Sequence, residues 1–174
     1  MKKLFFIMPL LLLLSSCKKD QVIITDSNEL QQQPAWKTEK FKADYTMQFP
    51  GYYDGGYMQG FEGGTFDKIR DDTRVHFTYS YSNGLQYFDF GDTLADKNTD
   101  SIAVGDLLLI LPYRISLTEN GDTAGILFYN DVWSVSTAVL YWKDGGVYKN
   151  ALRIGYANDM KEEMLTILKT IRHN

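Results

Sequence analysis

Residues 41–50 read Phe41-Lys42-Ala43-Asp44-Tyr45-Thr46-Met47-Gln48-Phe49-Pro50. Phe41, Ala43, Tyr45, Met47 and Phe49 alternate with Lys42, Asp44, Thr46 and Gln48, and a period of two sends each set to a different face of an extended chain. The stretch predicts a half-buried strand, ended by Pro50, which has no N–H to give to a ladder. The same period recurs downstream. Val75, Phe77, Tyr79 and Tyr81 alternate with His76, Thr78 and Ser80, and Asn83-Gly84 supplies the turn for a hairpin into a strand from Leu85 to Phe90. Further strands are expected from Leu107 to Leu117, Gly125 to Tyr129 and Val135 to Trp142, with Asp144-Gly145-Gly146 turning the chain into Val147 to Tyr156.

The period changes near the C-terminus. Met160, Met164, Leu168 and Ile171 recur at three or four residues and give one apolar helical face. Asn158 or Asp159 is the expected cap, Glu162 and Glu163 lie where the dipole favours anions, and Lys169 and Arg172 lie near the end. No internal repeat interrupts this plan. The reading is one α+β domain with a mainly antiparallel sheet of about six or seven strands and a C-terminal helix packed on it.

Tyr45-Thr46-Met47-Gln48-Phe49-Pro50 resembles the opening strand of the PsbP-like fold, and the strand from Tyr148 to Tyr156 followed by Met164-Leu165-Thr166-Ile167-Leu168-Lys169-Thr170-Ile171 resembles its close. The resemblance spans residues 39–172 and implies an α/β/α sandwich. Two departures stand out: Tyr52-Tyr53 is only a loose counterpart of the aromatic that follows Phe-Pro, and glycine-rich sequence replaces the helix expected there. The resemblance implies a fold and transfers no functional residue.

Upstream, Met1, Lys2 and Lys3 precede Leu4 to Leu14, an apolar run broken only by Pro9. It falls well short of the roughly 18 apolar residues that a spanning helix needs, so it reads as an export signal. The run ends Leu14-Ser15-Ser16-Cys17, which resembles the lipobox of bacterial lipoproteins. That resemblance implies a signal peptide over residues 1–16, cleavage between Ser16 and Cys17, and lipidation of Cys17, the only cysteine. Each buried methylene of an acyl chain contributes about 0.8 kcal/mol, so several chains make a lasting anchor in the bilayer. Lys18 and Lys19 follow the cysteine with no aspartate beside it, which favours the outer membrane. Residues 17–35 are polar apart from Val22-Ile23-Ile24 and read as a flexible tether, leaving residues 36–174 as the domain.

Composition narrows the chemistry. The chain of 174 residues has 18 basic and 22 acidic side chains, formally −4, and loss of Lys2 and Lys3 with the signal takes it to −6. Scattered basic residues and an acidic balance argue against nucleic-acid binding. A lone cysteine excludes an internal disulfide and a multi-cysteine zinc site.

No catalytic residue, metal site or cofactor is assigned. His76 falls on the polar face of its strand, and His173 belongs to a tail expected to fray. Asp89-Phe90-Gly91 lacks the companion motifs of a kinase, and the adjacent carboxylates Asp71-Asp72 and Glu162-Glu163 read as solvated. Asp96, Asn98 and Asp100 have the spacing that opens a calcium loop, but Ser101 and Leu107 stand where glycine and glutamate are required.

The stretch from Gly51 to Gly64 is the most unusual in composition: Tyr52, Tyr53, Tyr57 and Phe61 are interleaved with glycines. Two readings stay open. Either these aromatics form a contact surface on an adaptable backbone, or they pack beneath the sheet while the glycines make turns and bulges. Trp133, Tyr141 and Trp142 admit the same pair of readings. The function expected is that of a non-enzymatic envelope lipoprotein acting by protein–protein contact or as an accessory subunit. The alternative is a glycan or small-ligand binding module using the tyrosine-rich segment 51–64.

Overall fold

A computed structural model describes residues 29–42, 44–60, 64–80, 101–104, 107–131, 134–144 and 147–174. The period-two stretches become strands. In chain order the elements are β1 (Lys37–Lys42), β2 (Tyr45–Phe49), β3 (Tyr53–Gln59), β4 (Gly64–Arg70), β5 (Val75–Ser80), β6 (Ser101–Val104), β7 (Leu107–Ile110), β8 (Tyr113–Glu119), β9 (Asp122–Asn130), β10 (Val135–Asp144) and β11 (Val147–Ala157). A single 3-10 turn (Asn158–Met160), helix α1 (Lys161–Leu168) and the short β12 (Arg172–His173) complete the chain.

Seven of these strands form the main sheet, ordered β3-β4-β5-β11-β10-β9-β8, and every neighbouring pair in it is antiparallel. A second sheet, β1-β2-β12, and a two-stranded β6-β7 pair are hydrogen-bonded separately from it. The fold is therefore mainly antiparallel sheet with one short C-terminal helix among the described residues.

Alternation decides what each strand buries. Phe66, Val75, Phe77, Tyr79, Leu127, Tyr129, Ala138, Leu140, Leu152, Ile154 and Tyr156 share the inner face of the main sheet. Tyr45, Met47 and Phe49 of β2 and Met164, Leu165, Ile167 and Leu168 of α1 complete that core. Phe49 sits at its centre, with ring centroids 5.3 Å from Phe77, 5.4 Å from Tyr53 and 5.8 Å from Phe66. Buried aromatics of this size dominate core energetics. The outer face of the sheet is divided. Ile126, Phe128, Val139 and Tyr141 are buried on β9 and β10, whereas Asp54, Asp67 and His76 lie on β3, β4 and β5 and reach solvent.

Several elements depart from the sequence expectations. The strand expected from Phe41 to Phe49 is a hairpin: β1 and β2 pair with each other, and the ladder slips between Lys40 and Lys42. The phase survives the turn, so Phe41, Tyr45, Met47 and Phe49 are all buried. The stretch from Leu107 to Leu117 is two strands, because Pro112 cannot donate to a ladder. β3 and β4 fall where no strand was expected.

α1 starts at Lys161, and neither expected cap serves it. The Asn158 side chain instead accepts from the Ser136 hydroxyl at 2.5 Å and donates to the Asp131 carbonyl at 3.0 Å. The chain end is not a frayed tail: β12 pairs with β2, and the His173 ring lies 4.7 Å from that of Tyr45. Tyr141 and Trp142 are core.

Residues 29–35, expected to close the tether, are docked on the domain. Leu30 is buried in the main core, and its N–H donates to the Thr118 carbonyl at 2.8 Å. Gln31 N–H donates to the Lys169 carbonyl at 2.8 Å, and Gln33 N–H to the Gln48 side-chain oxygen at 2.7 Å. Their polarity serves hydrogen bonding to a surface, which composition alone does not separate from solvation. Cys17, the signal residues, the strand expected from Leu85 to Phe90, the Asp89-Phe90-Gly91 and Asp96 to Asp100 stretches, Phe61 and Trp133 lie outside the described residues.

Candidate functional site

The tyrosine-rich segment begins where β2 stops at Pro50. Gly51 and Tyr52 form a turn in which the Tyr53 N–H donates to the Pro50 carbonyl at 3.2 Å, and β3 then runs antiparallel to β4 with Tyr53 opposite Arg70. This register brings two tyrosines and one arginine to the start of α1. Glu163 receives all three. The Tyr52 hydroxyl donates to its Oε2 at 3.0 Å, and the Tyr53 hydroxyl and Arg70 Nε donate to its Oε1 at 2.9 and 3.1 Å.

Glu163 was expected to be solvated, and here the structure overturns the reading. It stands three residues after Met160 and four before Ile167, on the stripe that faces the sheet, and only 22% of its side chain is exposed. Arg70 also pairs with Asp72, and its guanidinium lies 4.9 Å from the centre of the Tyr52 ring. Burial, followed by the Glu163 carboxylate, pushes the Tyr52 hydroxyl above its ordinary range and the Tyr53 hydroxyl much further. Both stay protonated at neutral pH, as donors to a carboxylate must. Charge-assisted bonds of this kind, partly removed from water, are stronger than neutral ones.

The two open readings of the segment are thus divided residue by residue. Tyr53 is core, at 5% exposure, and Tyr52 keeps 40% of its surface exposed while one ring face meets Arg70. Tyr57 is half-buried; its ring covers Gly64, where an added Cβ would collide with it, and Lys40 Nζ lies 5.2 Å from its centre. Gly55 and Gly56 lie in β3 and Gly64 opens β4, while Gly51 is in the turn before them. Gly55 has a φ of +89°, and a Cβ there would strike the Asp67 carbonyl, so only glycine is tolerated.

Lys68, which sequence reasoning passed over, lies inside the sheet sandwich at 4% exposure. Its Nζ donates to the Gly55 carbonyl at 3.0 Å, sits 3.5 Å from Glu39 Oε1, and lies 5.7 Å from the centre of the Phe49 ring. Burial pushes the Glu39 carboxyl up, but Lys37 and Lys68 together outweigh it and leave it below its ordinary range. A buried ammonium is tolerated only when paired and hydrogen-bonded, and Lys68 has both kinds of partner. The signal for it was the alternation Phe66, Lys68, Arg70, whose inward positions are mostly charged.

On the outer face His76 Nε2 lies 2.7 Å from Asp67 Oδ1, with 40% of the histidine side chain exposed. Asp71 and Asp72 are exposed as expected, although Asp72 Oδ1 also accepts from the Arg74 N–H at 3.1 Å. Among the described residues no three of His, Cys, Asp and Glu are grouped to hold a metal ion, and no helix is long and apolar enough to cross a membrane. No protein-family model matches the sequence, and no curated protein does.

Proposed function

We propose that this chain is a lipid-anchored module of the bacterial envelope, of non-enzymatic type, which works by protein–protein contact or as an accessory subunit. The observation that carries the reading is Leu14-Ser15-Ser16-Cys17 behind a short apolar run, with the only cysteine at the position where the acyl chains attach. Outer-membrane placement follows from Lys18 and Lys19 after the cysteine, and a PsbP-like arrangement is the finer fold that goes with the proposal.

The packing of the tyrosine-rich segment supports contact over glycan binding. Sugar stacking requires free ring faces, but Tyr53 is buried and Arg70 lies over Tyr52. Intact-mass measurement of protein extracted from membranes tests the anchor. A chain that starts at Cys17 and carries diacylglycerol with an amide-linked acyl chain is the expected result, and Cys17→Ser moves the protein to the soluble fraction. An unmodified Cys17 or a retained Met1 refutes the anchor.

A further inference from the structure

Residues 29–36 join the domain through two kinds of contact. At the end nearer Cys17, Glu29 and Leu30 hold the turn between β8 and β9. Glu29 Oε2 accepts from the Thr118 hydroxyl at 2.7 Å, its Oε1 accepts from the Asn120 N–H at 2.5 Å, and the Leu30 N–H donates to the Thr118 carbonyl at 2.8 Å. The contacts that follow are polar. The Gln31 N–H donates to the Lys169 carbonyl, the Gln32 side chain to the Thr170 carbonyl at 3.0 Å, and the Gln33 N–H to the Gln48 side chain. A turn through Pro34-Ala35, closed by the Trp36 N–H on the Gln33 carbonyl at 3.0 Å, then leads into β1, and Trp36 packs against the core.

This attachment differs from that of the strands. Glu29 makes one isolated bridge with Thr118, whereas β8 and β9 pair along their whole length. Of residues 29–35 only Leu30 is buried, and Gln31, Gln32, Pro34 and Ala35 are exposed. Departure of the segment takes one leucine from the core, leaves the ladders of both sheets whole, and uncovers polar groups that bond to water instead. From this geometry we infer that residues 29–33 are a releasable strap, hinged at Pro34-Ala35, which lengthens the tether when the chain is pulled from its N-terminal side. The inference rests on the lipid anchor proposed above, which supplies the pull. Twelve residue steps lead from Cys17 to Glu29 and nineteen from Cys17 to Trp36. At full extension they reach about 40 Å and about 65 Å. A partner protein held farther from the bilayer than the shorter reach favours the released form, because binding shifts an equilibrium toward the state that binds better. Glu29 and Leu30 receive the pull first, so their contacts are the latch, while Trp36 stays with the core.

Single-molecule pulling on the mature chain tests the strap, with one handle on the Cys17 thiol and the other on Met58→Cys, an exposed position of β3. The expected result is a first, reversible lengthening of at most about 25 Å, at a force below that which unfolds β1 and β2. Leu30→Ala lowers that first force and leaves the later steps in place. On the full acylated chain in lipid nanodiscs, the Leu30 and Gln31 amides exchange about 100-fold or more faster, relative to their intrinsic rates, than the paired Leu127 and Leu140 amides of the sheet.

A first lengthening that coincides with the unfolding of β1 and β2 overturns the inference, as do strap amides that exchange no faster than those of Leu127 and Leu140. So does a Leu30→Ala chain in which every step weakens alike. The handle on Cys17 takes the place of the acyl chains, so the two proposals fail separately. A separate first step, together with an unmodified Cys17 in protein taken from membranes, refutes only the anchor. Acylation of Cys17 with no separate first step refutes only the strap.

Discussion

The two edges of the main sheet are finished differently. At β8 the chain closes its own edge near the C-terminal end of the strand. Leu30 N–H donates to the Thr118 carbonyl at 2.8 Å, Glu29 Oε2 accepts from the Thr118 hydroxyl at 2.7 Å, and Leu30 enters the core. At β3, six strands away, the edge is glycine-rich and exposed, and it is held from behind by Glu163 and Lys68. An edge strand must be covered, charged or used. The β8 edge is covered by the chain itself near Thr118, while β3 has β4 as its one hydrogen-bonded neighbour among the described residues and is tied internally through the Tyr53 N–H and the Gly55 carbonyl.

Substitutions that act on the two edges sharpen this contrast, and the largest effect is expected at the core they share. Phe49→Ala removes the ring that touches Tyr53, Phe66 and Phe77 and should destabilise the domain by about 3–5 kcal/mol in urea unfolding. Both edges should lose protection together. If β3 opens while β8 stays closed, the sheet is not one cooperative unit.

Leu30→Ala acts on the covered edge, with an expected cost of about 2–3 kcal/mol because Leu30 packs at the rim of the core. Amide exchange should rise at Thr118 and Asn120 before it rises at β3. A loss below about 0.5 kcal/mol would mean that residues 29–35 only rest on the surface.

Glu163→Gln acts on the β3 edge. It keeps the shape but removes the charge that faces Arg70, and about 1–2 kcal/mol should be lost, concentrated in faster exchange at β3. Uniform loosening of both edges would break the assignment of Glu163 as the support of β3.

The smallest effect is expected from acid. The Thr118 hydroxyl, aided by the Asn120 and Gly121 backbone N–H groups, holds the Glu29 carboxyl below its ordinary value of 4.5. A lowered folded-state value means that the stabilisation is fully present above 4.5 and fades as pH falls through the folded value. Protection from exchange at Leu30 and Asn120, taken against the intrinsic amide rate at each pH, should therefore fall below pH 4.5 ahead of the rest of the sheet. No change down to pH 3 would show that Glu29 does not hold this edge.

Much of the scaffold was legible from alternation alone. β5 and β11 bury the residues that their period assigns, β9 and β10 form where apolar runs predict strands but are buried on both faces, and α1 buries Met164 and Leu168 as its spacing predicts. These elements carry their own signal, since burial of an apolar face is encoded locally, residue by residue. The candidate aromatics were recognised, but their roles were not. Tyr52 and Tyr53 are unusual because of Glu163, which lies 111 and 110 residues away in the chain.

The amino-acid sequence by itself determined an antiparallel sheet with a C-terminal helix and the face that β5 and β11 bury, and it supplies Leu14-Ser15-Ser16-Cys17, on which the functional proposal rests. Tertiary structure alone decided β3 and β4, the hairpin inside residues 37–49, the docking of residues 29–35, the burial of Lys68 and the partial burial of Glu163. The physical reason is common to all of them. Glycine-rich and charged segments have little local preference for a strand, and they become ordered only when distant groups complete their hydrogen bonds and charges. Lys68 meets Glu39 across 29 residues and Arg70 meets Glu163 across 93, so each pairing exists only once the two layers have come together.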